Sequence, residues 1–506
     1  MTASDVVNPT QEDGFVRGLA EATGGPLGEH ASRRDPADRF FTVARIVMIL
    51  ALFVFVLHWI QKSPCQDGAW DDWEQYKRFC YTDIVALYYA EELHEGAVPY
   101  FDHPVEYPVL TGFFMGVLGL PVHNLAESRP SMNQVQAFYN LNVLLLAAFG
   151  LAAVAVVLAL RRRRPWDAAM LALAPATVVT ATVNWDLFAI GLTAFFFYAW
   201  ARRMPVIAGI MLGLAVAAKF YPLFFIGPLF LLALRSGRWR AAATTIGTAV
   251  VTWVLVNAPV FVWANDGWDK FWQLSNTRGV DWGTLYYIGV HSPISSRPGG
   301  GMQPFLWLDQ NVPRLNLATY VLFGLACLGI AVLALRAPRR PRLAQLCFLV
   351  VAVFLLTSKV WSQQFVLWLI PLVVLARPRW GSFLAWQAAE IGYFLAFYGE
   401  LLTVSASFVI PEGTFVLAAT LRWTMVAVLV GLVVRDILRP QRDVVRRTYG
   451  DDPDGGDFDG APDNGFILHP EDLNWRRWQD RLSDAGARVR ALTPAGRSQR
   501  PQPPPA

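Results

Sequence analysis

Long apolar runs, separated by short arginine-rich segments, divide this chain of 506 residues, and that alternation restricts the fold more than any other feature. A helix needs about 20 apolar residues to cross a bilayer, and about a dozen runs approach that length. Hydrophobic residues make up 54% of the chain, which is more than a water-soluble fold of this size hides. The sequence therefore predicts an all-α polytopic membrane protein with the lipid bilayer as a partner.

The arginine clusters predict the orientation of the chain, because short cytoplasmic loops are enriched in Lys and Arg. A cluster follows every second crossing, at 161–164, 202–203, 235–240, 336–342, 377–379 and 435–447. The predicted spans, about twelve in number, are 43–60, 138–160, 166–183, 185–201, 205–220, 222–234, 241–262, 315–335, 343–357, 364–376, 381–398 and 414–434. Both termini then lie in the cytoplasm, and the net charge of +4 reflects this topology rather than nucleic-acid binding.

The apolar run at 109–122 breaks the alternation. If this run and the next one both crossed the membrane, the arginines at 161–164 would lie outside. The run is short for a span and is bounded by Pro108 and Pro121. We therefore predict a re-entrant or interfacial helix on the outer face.

The polar segments define the predicted domain organisation. The segments are a disordered cytoplasmic arm at 1–40, a transmembrane domain at 41–438 with outer loops at 61–136 and 263–314, and a mostly disordered cytoplasmic tail at 439–506. Within the tail, the Asp-rich run at 451–457 lacks the closing Glu of a calcium loop, so it predicts a solvated linker. A short amphipathic helix is predicted at 473–492.

The chain has four cysteines, too few for a disulfide scaffold, and no Cys or His spacing that predicts a metal site. Cys65 and Cys80 share the first outer loop. A disulfide between them is a candidate if that loop faces an oxidising compartment, and two free thiols are the alternative.

The predicted topology gathers polar side chains on the outer face of the membrane. They are Asp83, Asp102, His103, Glu106, Asp186, Lys219, Tyr221, Lys359 and Gln363. Transfer of a sugar from a lipid phosphate needs a carboxylate to take the proton of the acceptor hydroxyl and cations to stabilise the departing phosphate. Both residue types are present, so the sequence predicts a glycosyltransferase.

Each candidate catalytic or phosphate-binding residue has an alternative structural role. Asp83 is the candidate base, but it is also placed to cap a helix beginning at Ile84. Glu106 shares the base role or positions the acceptor, unless it is a solvated loop carboxylate. Lys219 and Lys359 are candidates for binding the donor phosphate, with snorkelling at helix ends as the alternative.

The remaining candidates are assigned to substrate binding. They are His103, Asp186, Tyr221 and Gln363, and Asp186 is alternatively a cap on its own helix. The residues specify no cofactor, and a divalent cation stays an open alternative.

Several short motifs, taken in order, resemble those of glycosyltransferase family 87, the membrane mannosyltransferases of the GT-C class. The motifs are YTDI at 81–84, GAVPY at 96–100, EYP at 106–108, KFYP at 219–222 and KVWSQQFVLWLIP at 359–371. The similarity covers roughly 41–435. One departure is Val109, which follows EYP where a second Pro is common.

This resemblance implies a GT-C-like fold with a long first outer loop that carries membrane-lying helices. It also implies an inverting transfer, usually of mannose, from a polyprenyl-phosphate sugar donor to a glycan or glycolipid acceptor of the cell envelope. An acidic residue of the first outer loop is essential in the family, and Asp83 occupies that position here.

Two other classes of function are compatible with the sequence. A transporter or lipid-linked-sugar flippase would also have many spans, and Glu390, inside the predicted span at 381–398, suits a proton relay. Against transport, the polar residues collect on one face and no inverted repeat is evident. A non-catalytic relative of the family is the third reading.

Overall fold

The computed structural model describes residues 6–24, 41–293 and 300–464. Within those residues the chain is all-helical, apart from an isolated bridge between Pro99 and His103, which confirms the predicted helical class. The α-helices are α1 (Pro9–Glu12), α2 (Gly14–Gly24), α3 (Val43–Lys62), α4 (Glu74–Lys77), α5 (Asp83–Ala90), α6 (Val109–Ser128), α7 (Gln134–Leu160), α8 (Asp167–Ala172), α9 (Pro175–Thr180), α10 (Asp186–Ala201), α11 (Pro205–Ala218), α12 (Ile226–Ser236), α13 (Trp239–Trp263), α14 (Asn265–Thr277), α15 (Leu285–Val290), α16 (Gln303–Asp309), α17 (Val312–Arg336), α18 (Leu343–Thr357), α19 (Val366–Ala376), α20 (Trp380–Ser405), α21 (Glu412–Leu438) and α22 (Val444–Tyr449).

Six helices in the described part of the chain are long and apolar enough to cross a membrane, which makes this a multi-pass membrane protein. They are α3, α6, α7, α13, α17 and α21. The other predicted spans also fall on helices, most of them shorter, and the total of about twelve crossings stays a prediction. The predicted span at 166–183 is split into α8 and α9. Pro175 begins α9, and Ala174 before it is extended, because a residue that precedes proline disfavours the helical conformation.

Helix α6 differs from the prediction in length. It continues through Pro121 to Ser128 and has 20 residues, so the expectation that this segment is too short to cross is wrong. Its contacts with α7 include Gly119 against Phe138, near the start of that helix, and Phe114 against Phe149, just past its middle. The re-entrant path stays a prediction.

The two ends of helix α10 lie at opposite ends of the helical bundle. On α10, Asp186 stands at the first position, and Trp200, one residue before the end, donates from its indole nitrogen to the Gly455 carbonyl. A rise of 1.5 Å per residue separates these two residues by about 20 Å. We call the end that carries Asp186 the site end, and the end that carries Trp200 the arginine end.

Part of the C-terminal tail is folded against the arginine end. Asp454 is fully buried and binds Arg161 at 2.5 Å, while Asp443 binds Arg342 at 2.8 Å. Phe458 packs against Trp200. The prediction of a solvated linker at 451–457 is therefore wrong, because Arg161 and Arg340 pair with two of its carboxylates, Asp454 and Asp451. Predicted disorder is also wrong for 440–464, while the predicted helix at 473–492 lies outside the described residues.

The N-terminal arm is also partly folded. Glu12 pairs with Arg164, and the carboxylate of Asp13 accepts a hydrogen bond from the backbone N–H of Trp380 at 2.9 Å. The prediction of a disordered arm is thus wrong for residues 6–24, which form α1 and α2.

Candidate active site

Asp83 begins helix α5 at the site end. Thr82 is the N-cap, since its hydroxyl accepts from the Ile84 N–H at 3.2 Å, so the alternative in which Asp83 caps the helix is wrong. The Thr82 hydroxyl donates to the Thr182 carbonyl at 2.7 Å, and the Asp83 N–H donates to the Val183 carbonyl at 2.7 Å. The connection between α9 and α10 therefore fixes the backbone of Asp83.

The carboxylate of Asp83 is half-buried and hydrogen-bonded. The amide nitrogen of Asn184 donates to its Oδ2 at 2.8 Å. Burial raises the pKa of Asp83, while the hydrogen bonds from Asn184 and Tyr81 and the positive charge of Lys219 partly offset that increase. A carboxylate whose pKa moves toward neutrality is a better general base, because proton transfer to it becomes more favourable.

Lys219 follows the last residue of α11, where the backbone leaves the helix. Its ammonium lies 3.2 Å from Asn184 Oδ1, 3.4 Å from Asp186 Oδ1 and 4.8 Å from the ring centre of Tyr107. The side chain is only 8% exposed, so the ammonium points into the protein. Snorkelling toward a surface does not describe this lysine.

Asp186 and Tyr221 lie beside Lys219. Asp186 Oδ1 also accepts from the indole of Trp368 at 2.7 Å, and its buried Oδ2 has no hydrogen-bond partner among the described residues. Tyr221 stacks on Trp368 at 4.7 Å, and its hydroxyl lies 3.0 Å from Thr193 Oγ1. Tyr221 therefore packs against one face of the Trp368 ring, whose indole N–H donates to Asp186.

Glu106 and His103 lie in the segment between α5 and α6. The negative charge of Glu106 contributes to the raised pKa of Asp83, so the two carboxylates are within electrostatic reach. His103 lies between Glu91 at 3.5 Å and Glu92 at 3.4 Å. Burial raises the pKa of Glu91 to about 7. His103 thus contacts two acids other than the candidate bases.

Lys359 and Gln363 bond elsewhere at the site end. The ammonium of Lys359 donates to the carbonyl of Arg278 at 2.6 Å, and burial together with the Arg278 charge lowers the pKa of Lys359. The side-chain amide of Gln363 donates to the hydroxyl of Tyr398 at 3.3 Å. The structure therefore brings Asp83, Asp186 and Lys219 together, with Lys359 bonded to a different segment.

The profile of glycosyltransferase family 87 matches residues 107–362, just over half of the chain. The chain belongs to glycosyltransferase family 87. This confirms the resemblance drawn from the motifs and makes the protein a membrane glycosyltransferase. The matched range contains Tyr107, Asn184, Asp186 and Lys219, while Asp83 lies upstream of it.

A crystal structure of ArnT from Cupriavidus metallidurans bound to undecaprenyl phosphate is similar to this chain, with 15% sequence identity and a TM-score of 0.40. The similarity covers 79% of each chain. No curated protein sequence matches this member of family 87.

The segment before Asp83 in this glycosyltransferase is held at two points. Cys65 and Cys80 form a disulfide with their Cα atoms 5.7 Å apart. The buried ammonium of Lys62 donates to the carbonyl of Tyr81 at 3.0 Å. Both contacts restrict the loop that carries the candidate base.

Four residues of the site were not among the candidates drawn from the sequence: Lys62, Tyr107, Asn184 and Trp368. Tyr107 and Trp368 stand inside motifs that carry the family resemblance, which was the available signal, whereas Asn184 stands outside them, two residues before Asp186. Their partners are distant in the sequence, so the spacing of residues did not reveal the contacts.

Two observations bear on the alternatives. Glu390 forms an ion pair with Arg422 at 2.9 Å and accepts from the Trp386 indole, so its carboxylate is neutralised within the bundle. Among the described residues, no group of three or more His, Cys, Asp or Glu side chains is arranged to hold a metal ion.

Proposed function

We propose that this family 87 glycosyltransferase transfers a sugar, mannose by the family resemblance, from a polyprenyl phosphate to a glycan or glycolipid of the cell envelope. The reaction takes place on the outer face of the membrane. The observation that carries the proposal is the meeting of a carboxylate, Asp83, and a cation, Lys219, on the same amide of Asn184. These are the two groups that the reaction needs.

The proposed reaction is a single displacement. Asp83 takes the proton of the acceptor hydroxyl as that oxygen attacks the anomeric carbon of the sugar. The bond between the anomeric carbon and the phosphate oxygen breaks, and the lipid phosphate leaves with both electrons. Because the attack comes from the face opposite the phosphate, the configuration at the anomeric carbon is inverted.

Lys219 is the proposed partner of the departing phosphate. Its ammonium stabilises the negative charge that develops on the bridging oxygen, and its low exposure strengthens that interaction. Asp186 holds the ammonium at 3.4 Å through one oxygen. The other oxygen, which is buried and has no partner among the described residues, is available to accept a hydrogen bond from a sugar hydroxyl.

An aromatic groove adjoins Lys219 and supports a lipid-linked donor. It is bounded by α6, α11, α13 and α14, and its lining is Tyr107, Pro108, Val109, Val216, Phe220, Trp253, Asn257, Trp268, Phe271 and Trp272. The neighbouring surface of α13 exposes Val254, Leu255 and Phe261. We propose that the isoprenoid chain of the donor lies here, with its phosphate beside Lys219.

The other candidates keep subsidiary roles in the proposal. Glu106, within electrostatic reach of Asp83, positions the acceptor. From the segment between α18 and α19, Lys359 binds the donor phosphate and Gln363 binds substrate. His103, between α5 and α6, also binds substrate. Tyr221 acts through Trp368 and Asp186.

Sugar release from labelled mannosyl-phosphoryl-polyprenol in membrane vesicles tests the proposal. We expect turnover by the wild type and a loss of roughly 10²- to 10⁴-fold in Asp83→Asn, the usual contribution of a general base. Asp67→Asn is the matched control, because Asp67 is an exposed carboxylate of the same loop. Absence of turnover in the wild type would refute the donor, and full activity of Asp83→Asn would refute the base.

A further inference from the structure

Asn184 bonds to more functional groups than any other side chain of the site described above. Its Nδ2 donates to Asp83 Oδ2 at 2.8 Å and to the Tyr107 hydroxyl at 2.5 Å. Its Oδ1 accepts from the Lys219 ammonium at 3.2 Å and from the Trp185 N–H at 2.6 Å. The residue is 1% exposed, so these four partners take the place of water.

The chemistry of an amide suits this position. An ionised carboxylate only accepts hydrogen bonds and an ammonium only donates them, whereas an amide does both from two adjacent atoms. No ion pair within 4 Å joins Asp83 to Lys219, whose ammonium pairs with Asp186 instead. A carboxylate at position 184 would lose the donor, and an apolar side chain would lose both bonds.

We infer that Asn184 is a positioning residue, which holds the base and the phosphate-binding cation in a fixed relation to each other. The inference rests on the proposed function, because it assigns a role within that reaction. Asn184 touches neither reacting bond in this scheme. It acts through Asp83 and Lys219, and it keeps the carboxylate ionised by donating to the charged form.

Several other ionisable groups face Asp83 and influence its titration. They are Lys62 on α3, Tyr81 in the same loop, Glu106 and Tyr107 before α6, Lys219 after α11, Asp186 on α10 through its pair with Lys219, and Tyr398 on α20. All of these groups are still present when only position 184 is changed, and of them only Tyr107 and Lys219 bond to the Asn184 side chain. A shift in the titration of Asp83 is then attributable to the lost amide.

The test is the pH dependence of kcat/KM with mannosyl-phosphoryl-polyprenol, comparing wild type, Asn184→Asp and Asn184→Leu. In both variants Asp83 loses a hydrogen bond that favours its charged form, and in Asn184→Asp it also gains a negative neighbour. The acid limb of the profile should move to higher pH by about one to two units. Activity should fall roughly 10- to 100-fold on the acid side and recover at high pH.

Asn124→Asp is the matched control, because Asn124 is exposed near the end of α6, and it should keep the wild-type profile. The thermal unfolding midpoint of each variant checks its folding. If Asn184→Leu does not fold, Asn184→Asp alone is compared with wild type. The Asp side chain still offers an oxygen that accepts from the Trp185 N–H and the Lys219 ammonium. A loss of equal size at every pH, with the acid limb unmoved, would overturn the positioning role while the proposed function stands. Absence of turnover in the wild type would instead refute the proposed function.

Discussion

The site end and the arginine end of this protein both bury charged side chains, but they arrange them in opposite ways. At the arginine end, Arg161 and Asp454 are both fully buried and form an ion pair at 2.5 Å, and the guanidinium donates a hydrogen bond to Asp454 Oδ1 at 2.7 Å. At the site end, Lys219 pairs with Asp186 at 3.4 Å, and Asp83 is bonded to an amide instead of a cation. Charge is neutralised at one end and kept available at the other.

The residue types follow the same division. Arginine offers a planar fork of donors that matches a carboxylate and the carbonyl groups at a helix end, and Arg342 uses it to bind Asp443, Leu375 and Ala376. Lysine offers a compact charge on a flexible chain, which suits an anion that arrives and departs. The comparison therefore predicts that changes at the arginine end affect stability, while changes at the site end affect turnover.

The largest expected effect on stability is that of Arg161→Met, which would leave Asp454 buried without its cation. Breaking a buried ion pair in this way costs about 3–5 kcal/mol. The thermal unfolding midpoint in detergent should therefore fall strongly, and the double variant with Asp454→Leu should recover part of the loss.

The control for this change is Lys77→Met, which removes the partner of Asp72 in a pair that is largely exposed. An exposed pair contributes about 0–1 kcal/mol, so the midpoint should hardly change. Equal midpoints for Arg161→Met and Lys77→Met would contradict a structural role for the buried network.

Lys219→Met should lower kcat next most strongly, by roughly 10²- to 10³-fold, as expected when one donor to a developing anion is removed. Its unfolding midpoint should change less than that of Arg161→Met, because Asp186 keeps its hydrogen bond from Trp368. Steady-state turnover of the lipid donor measures the first effect and thermal unfolding the second.

Lys359→Met is the companion variant, since its ammonium already donates to the Arg278 carbonyl at 2.6 Å. We expect a loss of about tenfold or less, the size of one hydrogen bond. A larger loss of turnover in Lys359→Met than in Lys219→Met would indicate that Lys359 is the main phosphate-binding residue.

The smallest effect concerns Asp452, a buried acid of the arginine end. Burial and the neighbouring charge of Asp454 raise the pKa of Asp452 from 3.8 to about 6. Between these two pKa values the folded state holds a proton that the unfolded chain has released, so stability is lost as pH rises from 3.8 to about 6. Asn cannot ionise. We expect Asp452→Asn to be equal to wild type near pH 3 and about 1–3 kcal/mol more stable than wild type at pH 8.

Unfolding midpoints at the two pH values measure this difference, with the half-buried Asp457 changed to Asn as a control in the same segment. A variant that is no more stable than wild type at pH 8 would show that Asp452 stays neutralised by Arg342 across this range.

Much of the helical framework could be predicted because it depends on local composition. Apolar runs long enough to bury themselves in lipid marked the helices, and arginine clusters marked the end at which Arg161, Arg342 and Arg377 lie. The errors arose where distant residues decide the outcome. Helix α6 extends beyond Pro121, and Asp454 and Asp451 are paired with Arg161 and Arg340, which lie more than 100 residues away in the chain.

The sequence by itself determined the membrane class, the helices, the family motifs and the choice of Asp83 and Lys219 as candidates, because these depend on residue type and local pattern. Only the tertiary structure decided that both candidates bond to Asn184, that Thr82 rather than Asp83 caps α5, and that Lys359 bonds to Arg278. The physical reason is that hydrogen bonds and ion pairs require atoms within about 3 to 4 Å, and partners 35 to 101 residues apart in the chain are brought that close only by packing of the helices.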